Sequence, residues 1–216
     1  MYYGDGGNVG GIYVVSTSGG APEKLCGGNA WIWDWSLEHR RILHYDVRPG
    51  SSSVVVGMLN LDTCQDSVFL ERAHSNLYDV RWSPDGRWVA FHAAKGAHRQ
   101  VYVAPFTGDQ GPDDREWIPI TDGSTGEGKL RWSPDGNWLY SLSDRDGFPC
   151  IWAYRLDART KNPAGPPVAV FHAHGAGLSL NNANFVSFGL SVARDKIIFN
   201  QGEITGNIWL TTLPEN

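Results

Sequence analysis

The sequence predicts an all-β fold made of repeated four-stranded units. First, a segment that begins Trp82-Ser83-Pro84-Asp85-Gly86 recurs 50 residues later as Trp132-Ser133-Pro134-Asp135-Gly136. Second, short β-rich segments alternate with turn residues, and the chain holds 10 tryptophans and 26 glycines. Third, no segment of useful length shows the 3.6-residue apolar period of an amphipathic helix. Together these observations predict short strands that are closely joined.

The repeat extends beyond its two clear copies. Weaker copies lie at 35–43, 47 residues before the first, and at 190–199, 58 residues after the second. An independent anchor keeps the same register, since Val101-Tyr102-Val103, Ile151-Trp152-Ala153 and Ile208-Trp209-Leu210 match one another. Ile12-Tyr13-Val14 and, more weakly, Val56-Gly57-Met58 precede them. A period of 44–58 residues therefore organises the whole chain.

One unit shows how each element is predicted. Between 77 and 121, the strands are expected at 77–82, 87–92, 100–106 and 116–121, and Pro84 stands at the second position of the first turn. This order is the pattern of one antiparallel sheet. Such a sheet is too small to bury its own faces, so it is stable only when stacked on neighbours. Radial stacking gives a β-propeller, whose blades are these sheets.

The quoted motifs resemble the TolB-like, WD-type propeller repeats of bacteria. The resemblance rests on Trp-Ser-Pro-Asp-Gly, the apolar strand after it, and Ile-Trp or Val-Tyr in the third strand; the hairpin Ser143-Asp144-Arg145-Asp146-Gly147 is also typical. It implies a protein-binding ring, often attached to bacterial kinases, winged-helix regulators or peptidases. Some relatives are pectic-oligosaccharide lyases that hold a divalent cation with histidines at the channel mouth.

The strand count predicts an open ring. A single domain over 1–216 divides into units of about 1–26, 27–71, 72–121, 122–172 and 173–216. Three units are complete and two are partial, which gives 18 strands, or about 4.5 blades: either five blades of which two are incomplete, or an arc of a larger ring. An unpaired edge is expected near 207–212. We therefore expect a partner: another protein, a missing propeller segment, or a second copy of the chain.

Composition excludes several classes of protein. A net charge of −5 argues against a nucleic-acid binder. No apolar run is long enough to span a membrane, and the first residues lack a signal peptide, so we expect a soluble protein, cytoplasmic or part of a longer exported chain. Cys26, Cys64 and Cys150 are an odd number at wide spacing, for which buried thiols are expected.

No catalytic, cofactor or metal motif is complete. Residues 123–130 nearly match a phosphate-binding loop, but they end on Leu130 and run into a strand. Asp144 and Asp146 make half of a calcium loop, and hairpin hydrogen bonds with local pairing of Arg145 are the expected alternative. His44 and His92 are expected at equivalent positions. We assign no catalytic residue, no metal ligand and no cofactor.

The candidate ligand-binding residues lie where loops 27–30, 72–77, 122–129 and 173–184 form one mouth of the channel. Trp31 and Trp33 are candidates for stacking on a sugar or peptide, whereas Trp35, Trp82 and Trp132 are expected in the core. Arg81 and Arg131 share a repeat position and either line the channel or pair with acids of neighbouring blades. The mouth candidates are completed by His74, Glu127, Lys129, His174 and Asn181.

The sequence therefore predicts a non-catalytic interaction module that binds a protein or a polar ligand at the channel mouth. One alternative is a metal-dependent lyase of oligosaccharides, which requires at least three mouth imidazoles to converge. The other is the propeller domain of a peptidase whose hydrolase part lies elsewhere. Fold alone does not choose among them.

Overall fold

Five antiparallel sheets make up the described part of the chain. The structure, a computed structural model, describes residues 2–4, 10–28, 30–48, 50, 52–96, 98–172, 180 and 189–201. The first sheet contains β1 (Tyr2–Gly4), β2 (Gly11–Val14) and β3 (Glu23–Gly27). The fifth contains β16 (Leu190–Val192) and β17 (Ile197–Phe199).

The three central sheets have four strands each. The second sheet is β4 (Trp31–Ser36), β5 (Arg41–Val47), β6 (Val54–Asn60) and β7 (Asp66–Leu70). The third is β8 (Asn76–Trp82), β9 (Trp88–Lys95), β10 (His98–Pro105) and β11 (Ile118–Pro119), with one 3-10 turn at Asp114–Glu116. The fourth is β12 (Glu127–Trp132), β13 (Trp138–Ser143), β14 (Cys150–Arg155) and β15 (Val168–Phe171).

This arrangement confirms the predicted fold class. Each sheet is an antiparallel meander in chain order, with three complete sheets between two partial ones. The first strands lie next to one another across the sheets, β4 against β8, β8 against β12 and β12 against β16, so they line one side of the inner channel. The strand predicted at 207–212, with its unpaired edge, lies outside the described residues. Of the strand predicted at 184–190, only the last two residues are described.

The repeated turn is held by its own side chains. Ser83 Oγ donates a hydrogen bond to Asp85 (2.6 Å) and accepts one from the Trp88 N–H (3.0 Å). Ser133, Asp135 and Trp138 repeat these contacts. Because the contacts lie within six residues, the turn forms wherever this motif occurs, which explains why the motif located the strands correctly.

The core lies between sheets. The second and third sheets bury Leu43, Met58, Leu77 and Phe91 against one another, among others. The third and fourth bury a second cluster that includes Trp132. Each cluster takes residues from two neighbouring sheets, so no blade has a complete core by itself.

The expectation that Trp35 is a core residue is wrong. Trp82 and Trp132 are buried, but 38% of Trp35 is exposed. His39, in the turn between β4 and β5, packs on the Trp82 ring at 5.5 Å between centroids. Within the described residues, no turn of the first sheet packs on Trp35 as the His39 turn packs on Trp82.

The expectation that all three cysteines are thiols is also wrong. Cys26 in β3 and Cys64 in the turn between β6 and β7 form a disulfide, with 5.6 Å between their Cα atoms. Cys150 is a buried thiol, as expected. The disulfide therefore attaches the partial first sheet to the second sheet. Among the described residues, no helix has the length and apolar character needed to cross a bilayer.

Candidate ligand-binding cavity

A cavity of about 1000 Å3 occupies the channel mouth between the first strands. Its wall contains the aromatic side chains Trp31, Trp33 and Tyr78 on β4 and β8. It also contains four cationic side chains and three carboxyl groups. These are Arg81, Arg99, Lys129 and Arg131, and Asp79, Glu127 and Asp144.

Irregularities in the first strands shape this wall. β8 has a β-bulge between Tyr78 and Arg81, and β12 has one between Gly128 and Arg131. Inside the bulges, Asp79 and Lys129 adopt left-handed backbone conformations, with φ of 50° and 57°. Side chains other than glycine rarely adopt this conformation, and a bulge redirects the residue that it contains. The same repeat position therefore places a carboxylate in one blade and an ammonium group in the next on the cavity wall.

The carboxylate of Asp79 joins two blades. It accepts a hydrogen bond from the backbone N–H of Leu130 in the next sheet (2.8 Å) and forms an ion pair with Arg81 Nη2 (2.6 Å). Asp34, at the repeat position of Arg81, makes a different inter-blade bond one blade earlier, accepting from the Trp82 N–H (2.9 Å). Both carboxylates are thus occupied by contacts within the protein.

Arg81 and Arg131, at the shared repeat position, both lie on the cavity wall. Arg81 pairs with Asp79 on its own strand and donates to the carbonyl of Trp33 in the preceding blade. Arg131 donates only to the Leu130 carbonyl (2.6 Å), and no carboxylate among the described residues pairs with it. Burial and repulsion from Arg81 lower the pKa of Arg131, which stays cationic at neutral pH. Asp79 and Asp34 act on Arg131 at longer range and favour its charged form. Arg131 therefore presents to the cavity a guanidinium group that forms no direct ion pair within the described residues.

His92 presents a second unsatisfied group. The residue is 3% exposed and lines the cavity, and its Nε2 has no hydrogen-bond partner within the described part of the chain. Burial lowers the pKa of His92 to about 4, so the imidazole is neutral at physiological pH. A buried nitrogen without a partner is unfavourable unless a ligand or water supplies the missing hydrogen bond.

Glu127 lies on the cavity wall but its carboxylate is the centre of a buried network. It accepts hydrogen bonds from the hydroxyls of Ser141 (2.6 Å), Ser143 (2.9 Å), Tyr154 (2.9 Å) and Thr125 (3.0 Å). Burial outweighs these bonds and raises the pKa of Glu127. The Glu127 side chain therefore holds the cavity wall in place through these hydrogen bonds. The sequence did not indicate this role, because the hydroxyls come from three different segments.

Six of the nine candidate ligand-binding residues lie on the wall of this one cavity: Trp31, Trp33, Arg81, Glu127, Lys129 and Arg131. Trp31 is 68% exposed. His74 is exposed in the turn before β8 and is not among the lining residues. His174 and Asn181 lie outside the described residues. That the six bind a ligand stays a prediction.

The histidines do not occupy the positions expected of them. The first-strand pairings make His92 the equivalent of Tyr45, since Trp31 pairs with Tyr45 and Tyr78 with His92. His44 points to the other face of its strand and bonds to Asp66 (2.9 Å). The structure therefore places His92, and not His44, at the cavity, and no three imidazoles converge among the described residues.

Comparisons with known proteins agree with this architecture. The family model for the WD domain, G-beta repeat, matches residues 65–102. TolB from Acinetobacter baumannii superposes with a TM-score of 0.60 at 17% identity, over 92% of this chain and 47% of that one. A search of curated protein sequences finds no match. The predicted resemblance to WD-type, TolB-like repeats is confirmed.

Two enzymes share the fold. Puromycin hydrolase superposes with a TM-score of 0.56 at 17% identity, over 89% of this chain and 32% of that one. Oligogalacturonate lyase in complex with manganese superposes with a TM-score of 0.54 at 14% identity, over 78% of this chain and 44% of that one. At these identities the likeness shows the fold alone, a β-propeller. The chain spans about half the length of TolB and less of the two enzymes.

Proposed function

We propose that this chain, a β-propeller of the WD-type, TolB-like family, is a non-catalytic module that binds an anionic ligand at the channel mouth. The ligand would be a carboxylate-bearing peptide segment of a partner protein. The proposal is carried by one observation: Arg131, on the cavity wall, makes no ion-pair contact with a carboxylate among the described residues, because the nearby Asp79 pairs with Arg81.

The charges of the wall support an anion. Three carboxyl groups line the cavity, and each accepts hydrogen bonds from the protein: Asp79 from Leu130, Glu127 from hydroxyls, and Asp144 from the Gly126 N–H (2.7 Å). The four cations include Arg131, which forms no direct ion pair with a carboxylate of the described residues. The cavity is therefore attractive to anions although the whole chain carries a net charge of −5.

The aromatic side of the wall supports a peptide or another ligand with an apolar part. Trp31 is largely exposed, and Trp33 packs edge-on against Tyr45 at 6.1 Å between centroids. Tryptophan and arginine are both enriched among the residues that contribute most of the binding energy at protein interfaces. His92 Nε2, neutral and without a partner in the described residues, would supply one further hydrogen bond.

Fluorescence anisotropy of labelled short peptides tests the proposal. Each peptide is compared with a free C-terminal carboxylate and as its amide. We expect the carboxylate forms to bind more tightly, and Arg131→Gln to weaken that binding by roughly tenfold or more, as loss of a charge-assisted hydrogen bond does. Arg155→Gln, at an exposed position on β14, is the matched control.

Two results would count against the proposal. Equal binding of acid and amide forms would show that the anion is not recognised. Equal effects of Arg131→Gln and Arg155→Gln would show that the cavity is not the site. Added salt should weaken binding to the wild type more than to Arg131→Gln, because the lost contact is electrostatic.

The propeller domain of a longer peptidase is the second candidate. It is favoured by the match to puromycin hydrolase, in which 89% of this chain aligns with only 32% of that protein. In that arrangement the same cavity would admit the peptide substrate. Binding of peptides without cleavage would be expected from this chain in both cases, so the assay is a cleavage test on the full-length product of the gene.

The lyase alternative has less support. It needs three imidazoles at the mouth, and the described histidines are dispersed: His44 bonds to Asp66, His74 is exposed, and His172 pairs with Asp146. A lyase assay on polygalacturonate with added Mn2+ tests it directly.

A further inference from the structure

A carboxylate, a thiol and an imidazole converge outside the cavity. They belong to Asp146, Cys150 and His172, and one ligand atom from each lies within 4.8 Å of the other two. Asp146 is in the hairpin between β13 and β14, Cys150 begins β14, and His172 follows the last residue of β15. Three separate points of the fourth sheet thus meet at one place.

The donor set suits a borderline cation. Thiolate, imidazole and carboxylate are the ligands that Zn2+ uses in proteins, and catalytic or open sites combine three protein ligands with one water. A tetrahedral Zn2+ holds its ligand atoms about 3.3–3.8 Å apart. The Asp146–His172 contact is 2.9 Å and the largest separation is at most 4.8 Å, so small side-chain rotations reach that geometry.

The surroundings allow a cation to enter. Cys150 is buried, but the side chains of His172 and Asp146 are 50% and 25% exposed. One carboxylate and one thiolate balance the charge of a divalent ion when the imidazole is neutral.

We propose that Asp146, Cys150 and His172 form a site for Zn2+ or a similar divalent transition metal, with a water as the fourth ligand. On binding, the Cys150 thiol loses its proton to solvent, and the metal replaces the direct hydrogen bond between Asp146 and His172. The affinity therefore rises with pH. The site differs from the half calcium loop that the sequence indicates, because its ligands are Asp146 with Cys150 and His172, not Asp144 with Asp146.

The position gives the metal a structural effect. The same hairpin contributes Asp144 to the cavity wall, and Arg145 reaches back to Tyr154 (3.2 Å). A metal that joins this hairpin to the end of β15 would fix one rim of the cavity. This site does not depend on the proposed ligand, so either proposal can fail without the other.

Titration with Co2+ tests the site, because its absorption reports the ligands. We expect one equivalent to bind with a near-ultraviolet thiolate-to-Co2+ charge-transfer band and the visible bands of a tetrahedral ion, both removed by Zn2+. Cys26 and Cys64 form a disulfide, so the band reports Cys150. His172→Ala should weaken Co2+ binding by more than about 100-fold, beyond what loss of an outer-shell partner causes.

Controls keep the test decisive. His74→Ala removes an exposed histidine far along the chain and should bind Co2+ like the wild type. His172 is half exposed, so its replacement should leave the circular dichroism spectrum unchanged, whereas Cys150→Ser is a core change. Absence of the charge-transfer band in the wild type, or wild-type affinity in His172→Ala, would overturn the proposal.

Discussion

Replacement of Asp79 by alanine should weaken the interaction between the third and fourth sheets and so lower the free energy of unfolding. The change leaves the N–H of Leu130 without its acceptor, and Leu130 is fully buried. An unsatisfied buried donor costs about 1–3 kcal/mol. The change also removes the ion-pair partner of Arg81. Because both side chains are 18–19% exposed, we expect loss of this ion pair to lower the free energy of unfolding by only about 1–2 kcal/mol.

The free energy of unfolding should therefore fall by about 3 kcal/mol, or the midpoint of thermal unfolding by roughly 6–12 °C. Urea denaturation followed by tryptophan fluorescence measures it. Asp79→Asn keeps an acceptor and tolerates the left-handed backbone, so it should lose about half as much. Asp195→Ala, at an exposed site, is the control. If Asp79→Ala and Asp195→Ala unfold alike, the carboxylate does not join the blades.

Three further predictions concern titration and the disulfide. His92 has a pKa of about 4 in the folded protein, against an ordinary value of 6.5. The free energy of unfolding is therefore highest above pH 6.5 and falls by about 3 kcal/mol as the pH decreases to 4. His92→Leu should remove this decrease, as measured by urea denaturation at each pH. Burial raises the pKa of Glu127, so stability is present below its ordinary value of 4.5 and is lost as pH rises through the raised pKa; Glu127→Gln should flatten the same curve there. Cys64→Ser removes the disulfide that closes a loop with a sequence separation of 38 residues, and should lower the free energy of unfolding by up to about 4 kcal/mol. The backbone amides of the first sheet should then exchange with solvent faster than those of the other sheets.

Each of these has its own check. The two pH effects have opposite signs, so each is taken as the difference between wild type and variant at each pH. An unchanged slope between pH 4 and 6.5 in His92→Leu would contradict the buried neutral imidazole. Addition of reductant to the wild type should reproduce Cys64→Ser, and a reductant effect on the Cys64→Ser protein would implicate some other group.

The repeat motif located the sheets because its information is local. Ser83, Asp85 and Trp88 close their turn through contacts within six residues, and the same holds at the second copy. The cavity residues followed from the same register, since the first strands of successive blades line one side of the channel. Register also predicted that Arg81 and Arg131 would occupy equivalent positions, although it did not say which of them an acid would neutralise.

The features that the sequence did not predict depend on contacts between distant segments. Trp35 has the repeat position of Trp82, but no turn of the described residues covers it, which only the packing reveals. The Cys26–Cys64 disulfide joins two sheets, and spacing alone did not indicate that the first sheet packs there. His44 is one residue out of register with His92, because the position in β5 that corresponds to His92 in β9 is Tyr45. Side chains alternate between the two faces of a strand, so only His92 faces the channel.

The charges on the first strands change in one direction around the channel. The bulge region of β4 carries Asp34, that of β8 carries Asp79 and Arg81, and that of β12 carries Lys129 and Arg131. Along the chain these first strands therefore pass from acidic to balanced to basic, with the tryptophans of β4 at the acidic end; Asp34 lies behind the wall on the Trp82 N–H, whereas Asp79, Arg81, Lys129 and Arg131 line the cavity. This order of charges produces an electric field that runs across the channel mouth, from the basic strand to the acidic strand, and not only along the channel axis. A molecule with an anionic end and an aromatic end would then have one preferred orientation between neighbouring blades.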